Sequence, residues 1–349
     1  MGYLSGKVEF VIGVDTHKRS HTACVVDPNG GELAGATEPA DATGYRRLLA
    51  FSLKQAPQRR VWAVEGTGSF GSGLTSYLLE HGEWVVEVDR PARPARRSGA
   101  KSDELDAARA AREALAQKHL THPRRRGDRE ALRVLLRTRQ GALKARCQAL
   151  CHLKALVVTA PHGLRQQLRG LSTDALVGRC TRMRISSQQA TERRATVMAM
   201  RATARRTQAL QAEADDLESE IKSIVRTMAP VLLGEPGVGD VSAAEILMAW
   251  SHPGRFRSDA AFASLAGAAP IPASSGQVVR HRLNRGGDRQ LNRALHIIVL
   301  SRLRHHDETR AYAQRRTTEG KSSREIRRCL KRYVARRLFK LLESTAMAT

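Results

Sequence analysis

Over the first ninety residues, apolar positions fall in short β-branched runs divided by polar turns, with stretches of helical spacing between them. Val8 to Val14 is one such run and leads to Asp15. His21 to Val26 is a second, and the turn Pro28-Asn29-Gly30-Gly31 feeds a third. Ala42 to Leu53 repeats its apolar positions as a helix does, and Val61 to Val64 is a buried strand closed by Glu65. Leu74 to Glu80 is helical, and Trp84 to Val88 is a further strand. The order strand, hairpin, helix, strand, helix, strand predicts a mixed sheet, because a parallel doubly wound sheet would not open on a hairpin.

That order is the one of a ribonuclease-H-like fold. Beyond it the pattern turns helical, from Asp103 to about Leu120 and, after the basic break Pro123-Arg124-Arg125-Arg126-Gly127, from Asp128 to Val158. Residues 160–195 are Arg-rich with weak periodicity and read as irregular. Leu210, Ala214, Leu217, Ile221, Ile224 and Met228 then recur at spacings of four and three, a heptad seam stopped by Pro230. The seam suits a helical hairpin within one chain and an intermolecular coiled coil equally. Pro236-Gly237-Val238-Gly239, followed by Val241 to Trp250, has the form of the turn and second helix of a helix–hairpin–helix, which offers backbone N–H groups to a phosphate. A plain glycine turn between packed helices has the same pattern. The expected fold is α/β plus α: a ribonuclease-H-like domain over residues 1–125, a helical coiled-coil region over 126–230, and a small basic helical domain over 231–349.

Charge sharpens this division. The 349 residues include 59 Lys and Arg against 34 Asp and Glu, a net of +25. Residues 1–90 carry a net of −2, whereas residues 280–340 hold 19 basic and five acidic residues, a net of +14. A slightly acidic module ahead of a strongly basic one argues against an enzyme of small metabolites and for a polyanionic partner, nucleic acid first. Aromatics make up 4% of the chain, so few can stack on bases; Tyr312, Tyr333 and Phe339 are those of the basic part. Five scattered cysteines, with no second ligand pair to complement Cys147 and Cys151, argue for idle thiols over zinc. No apolar run reaches ~18 residues and no signal-peptide pattern opens the chain, so a cytoplasmic protein without membrane contact is expected.

Four carboxylates stand out by position. Asp15 and Glu65 end strands and can point to one end of a sheet, while Asp103 and Asp106 lie three apart on one helix face. Converging carboxylates repel unless neutralised. A pair of Mg²⁺ ions, which prefer oxygen ligands, would neutralise them and clamp a phosphodiester under displacement. Gly66-Thr67-Gly68-Ser69-Phe70-Gly71 also matches a dinucleotide fingerprint, with Glu87 and Asp89 about 20 residues on. Glu65, which would lie beside the pyrophosphate, argues against that reading and for a tight turn entering a helix.

In the basic part, Pro270-Ile271-Pro272-Ala273-Ser274-Ser275-Gly276 places a serine before glycine on a Pro-bounded loop. Arg280, Arg282, Arg285, Arg289 and Arg293 follow, able to contact and neutralise nucleic-acid phosphates. Spacing alone leaves an ordinary loop open. Taken with Val11-Ile12-Gly13-Val14-Asp15-Thr16-His17-Lys18, Val64-Glu65-Gly66-Thr67-Gly68 and Lys101-Ser102-Asp103 to Asp106-Ala107, this stretch resembles the DEDD transposases of insertion sequences, in order over nearly the whole chain. The resemblance implies an N-terminal domain like the Holliday-junction resolvases, joined through a coiled coil to a small helical transposase domain. It implies serine recombination, in which Ser275 (Ser274 being the alternative) attacks the scissile phosphate and forms a phosphoserine link. Asp15, Glu65, Asp103 and Asp106 would hold Mg²⁺ in the same composite site. Donor and target DNA, a structured guide RNA bridging them, and a homo-dimer or tetramer are implied as partners. Where the family often has Gly-Asn before the final Leu-Arg, this chain reads Gly286-Gly287-Asp288-Arg289-Gln290-Leu291-Asn292-Arg293. The rival readings are a metal-dependent Holliday-junction-type endonuclease that uses water, and a non-catalytic nucleic-acid scaffold.

Overall fold

Strands rich in Val, Ile and Ala, buried on both faces, build the centre of a mixed five-stranded sheet in the computed structural model. The structure describes residues 4, 6–88, 102–117, 120–123, 126–188, 190–272, 281–282, 284 and 286–346. Its two compact units are residues 1–125 and 126–349.

The first unit runs β1 (Phe10–Thr16), β2 (Ser20–Val26), β3 (Glu32–Pro39), α1 (Ala42–Gln55), β4 (Arg60–Glu65), α2 (Ser72–Glu80), β5 (Val85–Val88) and α3 (Asp103–Ala116). The sheet order is β3-β2-β1-β4-β5. β1, β2 and β3 pair antiparallel, and β4 continues parallel to β1 and to β5. The mixed sheet expected from the element order is what forms. One face buries Ile12, Val14, Trp62 and Val64 against Leu48 of α1 and Leu74 and Leu78 of α2. The other buries Val11, Val61, Ala63 and Val86 against Ala107, Ala110, Ala111 and Ala114 of α3. Only small residues on α3 allow the approach that the site requires.

The second unit is built on two long helices, α4 (Asp128–Thr159) and, after α5 (His162–Leu168) and α6 (Thr173–Thr181), α7 (Thr191–Met228). They run antiparallel: Leu132 and Leu136 share a core with Ile221 and Val225, and Leu153 shares another with Val197 and Met200. Arg139 Nε donates to Glu218 Oε2 at 3.0 Å across the pair. The heptad seam is thus engaged within the chain as a helical hairpin. The stretch expected to be irregular, 160–195, instead forms α5, α6 and the start of α7. Its helices bury Leu164, Leu168, Leu176, Val177 and Cys180 against the hairpin tip, and each is too short for periodicity to show.

The unit continues with α8 (Pro230–Leu233), α9 (Asp240–Trp250), α10 (Asp259–Leu265), the short strands β6 (Ile271–Pro272) and β7 (His281–Arg282), α11 (Arg289–His305), α12 (Asp307–Thr318) and α13 (Ser323–Ala346). Ile221 and Val225 join Leu247, Phe262, Leu295 and Leu338 in one core, so the base of the hairpin and the terminal helices stabilise each other. Ile221→Glu should therefore destabilise this unit by more than ~4 kcal/mol, since a charge enters a closed core. Loss of helical circular dichroism and of the thermal transition would show it. A folded variant of unchanged melting temperature would mean that the seam is not a core element. No helix among the described residues is long and apolar enough to cross a membrane.

Candidate active site

A missing side chain brings the acids together. Gly13, in the middle of β1, faces α3 so closely that a Cβ there would lie 2.0 Å from the Ala107 carbonyl oxygen and 2.6 Å from the Ala111 nitrogen. Two residues on along β1, on the same face, stands Asp15; one turn back along α3 stands Asp103. Two strand residues and one helical turn span similar lengths, so the contact at Gly13 places the two carboxylates side by side. Glu65 reaches the same end of the sheet, because Val14 and Val64 pair in parallel register and the strands finish level. The Thr16 hydroxyl donates to the Glu65 carbonyl at 2.9 Å, tying the two strand ends. Ser102 caps α3 by accepting from the Leu105 N–H at 3.3 Å, which fixes where the helix starts and hence where Asp103 sits.

The cluster that results is Asp15, His17 and Asp103, whose ligating atoms lie within 4.8 Å of one another. His17 Nε2 is 3.1 Å from Asp15 Oδ2 and 3.4 Å from Asp103 Oδ1, between the two carboxylates. Asp15 is buried, and burial raises its carboxyl above the ordinary range; His17 opposes that shift, while Asp103 and Asp106 add to it. The sequence reading does not single out His17. Its signal is the spacing Asp-x-His at a strand end, since residues two apart share a face. Asp106, expected beside Asp103, instead pairs with Arg109 Nη1 at 2.6 Å, and the Glu65 carboxylate is not one of the three clustered groups.

The dinucleotide-like segment is the tight turn expected of it. Gly66 adopts φ +67°, and the N–H groups of Ser69 and Gly71 donate to its carbonyl at 2.8 and 3.2 Å. A Cβ on Gly71 would press on Thr16, Val64 and the Glu65 carbonyl at about 3.0 Å, so its glycine serves packing. Cys147 and Cys151 are exposed and free, and neither joins a ligating group among the described residues.

In the second unit, Ser274, Ser275, Arg280 and Arg285 lie outside the described residues. β6 and β7 pair antiparallel, Ile271 with Arg282 and Pro272 with His281, and residues 273–280 connect them. The Gly-Gly-Asp stretch has a local reason. A Cβ on Gly287 would lie 2.4 Å from the Gly267 nitrogen, so two chain segments cross there, and Asp288 caps α11 by accepting from Gln290 and Leu291 at 2.9 Å. Asn292 donates to the Ala266 carbonyl at 2.5 Å and accepts from Lys331 at 2.9 Å. Arg282, Arg289 and Arg293 are exposed. Arg293 also lines a cleft of about 1140 Å³ together with Arg137 and Lys144 of α4 and the turn Gly237-Val238-Gly239. Phe339 is buried against Phe262, so of the three aromatics only Tyr312, half-buried, and Tyr333, exposed, can meet a base.

Two family models match the chain: a transposase model of the DEDD type over residues 12–160, and the transposase IS116/IS110/IS902 family over residues 229–314. An insertion element IS900 uncharacterized 42 kDa protein of Mycobacterium paratuberculosis is 26% identical, with 88% of this chain and 89% of that protein covered. An insertion element IS110 uncharacterized 43.6 kDa protein of Streptomyces coelicolor is 34% identical over 109 residues, 30% of this chain and only 27% of its own length. The matches support an insertion-sequence transposase, an enzyme that cuts DNA.

Proposed function

We propose that this chain is a recombinase that cuts and rejoins DNA strands, with a Mg²⁺-binding cluster in its first unit and a nucleophilic serine in its second. The observation that carries the reading is the convergence of Asp15, His17 and Asp103 at the end of β1. The donor set fits a hard divalent cation. Two carboxylates face each other, one of them in a buried position where its charge is disfavoured, and a cation reverses that penalty. Asp15 and Asp103 would hold the ion, with His17, Glu65 and Asp106 at its margin. Bound there, it supplies electrostatic stabilisation to a phosphodiester under displacement.

Ser275 is the nucleophile of this reading. Its oxygen bonds to phosphorus, the bond from phosphorus to one DNA oxygen breaks, and that oxygen leaves as a hydroxyl, taking up the proton lost by the serine. One phosphodiester replaces another, so rejoining needs no high-energy cofactor. Arg280, Arg282, Arg285, Arg289 and Arg293 would hold the strands by their phosphates. The first unit would be a resolvase-like ribonuclease-H fold, with residues 126–230 a coiled-coil spacer and 231–349 the serine-bearing part. A structured guide RNA would choose the target, and the working form would be a dimer or tetramer. A second reading, a junction endonuclease that uses water, is favoured by one fact: the clustered groups Asp15, His17 and Asp103 all belong to residues 1–125.

The test is strand cleavage of DNA carrying the element's ends, with the element's RNA supplied. Cleavage is expected in Mg²⁺, lost in excess chelator and restored on adding Mg²⁺ back. Equal cleavage in chelator would overturn the metal-dependent reading.

A further inference from the structure

At the base of the β6–β7 pair lies a cavity of about 300 Å³ into which five cations turn: Arg282, Arg316, Lys321, Arg328 and Arg332. They come from three places in the fold. Arg282 is on β7. Arg316 and Lys321 flank the turn between α12 and α13, where Gly320 at φ +78° lets the Lys321 N–H close back on the Arg316 carbonyl at 3.0 Å. Arg328 and Arg332 follow Glu325 on one face of α13 at helical spacing. The acids nearby are already engaged. Glu319 pairs with Arg316, and Glu325 accepts from the Ser322 N–H and hydroxyl at 2.9 and 2.7 Å as the capping box of α13. Arg282, Lys321, Arg328 and Arg332 therefore have no carboxylate within ion-pair reach among the described residues.

Like charges held around one concavity repel, and Glu325, which also lines it and lies in the field of Lys321 and Arg328, offsets only part of the charge of the five cations. A bare solvated face would spread these side chains outward; here they line one half-open hollow with room for an anionic group. Two features say which anion. The pocket wall includes Pro270 and Arg282, on either side of the segment 273–280 that carries Ser275. One turn beyond Cys329 on α13 stands Tyr333, 55% exposed, set edge-on to Tyr312 at 5.7 Å, a ring available to a base next to the phosphate.

We infer that this pocket is a clamp for one backbone phosphate of a DNA strand, held at the root of the serine-bearing segment. The inference rests on the reading of this unit as the one that handles DNA, but it does not require that Ser275 be the nucleophile.

Cys329 lines the pocket and makes it testable without catalysis. Cys24 and Cys180 are buried, and Cys147 and Cys151 are exposed, so full-length protein with Cys147→Ser and Cys151→Ser leaves Cys329 as the accessible thiol. Its alkylation by iodoacetamide is followed by peptide mass, without divalent metal, with and without a saturating single-stranded DNA oligonucleotide. DNA should slow alkylation about tenfold, an equal concentration of inorganic phosphate should not, and the effect of DNA should vanish in Arg328→Gln/Arg332→Gln. The same pair should weaken DNA binding and flatten the slope of log affinity against log salt by about 0.7, one phosphate's worth on a single strand. Because the ratio with and without DNA is taken within each variant, any change in intrinsic thiol reactivity cancels, and an unchanged thermal transition controls for folding. No protection by DNA, or equal protection by inorganic phosphate, overturns the strand clamp. Lost protection with cleavage intact removes the clamp and leaves the recombinase standing; protection without cleavage does the reverse.

Discussion

Asp15→Asn should lower DNA strand cleavage in Mg²⁺ about a thousandfold while leaving the first unit folded. The residue is buried at the end of β1 beside Asp103 and His17; burial, then Asp103 and Asp106, disfavour its charge by more than His17 restores. A carboxyl whose folded pKa is raised weakens the fold at pH values above its ordinary range, so removing the charge relieves the metal-free protein. Without divalent metal the variant should melt at or above the wild-type temperature. Added Mg²⁺ at about a hundred times its dissociation constant should stabilise wild type by ~2.7 kcal/mol, a rise of several degrees, and leave the variant where it was. Scanning calorimetry with and without Mg²⁺ reads this apart from catalysis. A variant that cleaves at wild-type rate, or that keeps the Mg²⁺-induced rise, would end the assignment of Asp15 as a ligand.

The contrast between Asp103 and Asp106 shows how far sequence carries and where it stops. Both lie in the first turn of α3, and spacing alone gives them one face. A local competitor, Arg109 three residues on, takes Asp106, whereas Asp103 meets Asp15 through a contact ninety residues away in sequence. The β-branched runs of β1, β2 and β4 were legible because strands buried on both faces are continuously apolar. The closeness of α3 to Gly13 was not, since nothing local marks a glycine in a strand as the seat of a particular helix. The same holds in the basic part. Charge density there announces a polyanion, but which arginines share a pocket depends on the turn at Gly320, and the cations of α12 and α13 lie far along the chain from Arg282. The hairpin of α4 and α7 was half legible: a heptad seam names the face and leaves the partner open until both helices are in view.

A reaction stalled on a nicked substrate should leave DNA covalently attached to the wild-type chain, and Ser275→Ala should abolish both the adduct and strand exchange, by about a thousandfold or more. A serine hydroxyl is a weak nucleophile at neutral pH, so it needs its proton removed and cations placed where charge grows on the phosphate. Arg282 is exposed on β7, two residues after the segment 273–280. Attack by serine makes an ester between protein and DNA that survives denaturation, whereas attack by water leaves two free DNA ends. Denaturing gels and peptide mass therefore separate the two chemistries in one experiment. The adduct should map to the peptide containing Ser274 and Ser275, persist in Ser274→Ala and disappear in Ser275→Ala. Loss in Ser274→Ala alone would move the nucleophile by one residue. Cleavage at wild-type rate by Ser275→Ala, with no adduct from any variant and full dependence on Asp15, would instead identify a metal-dependent endonuclease working from the first unit with water.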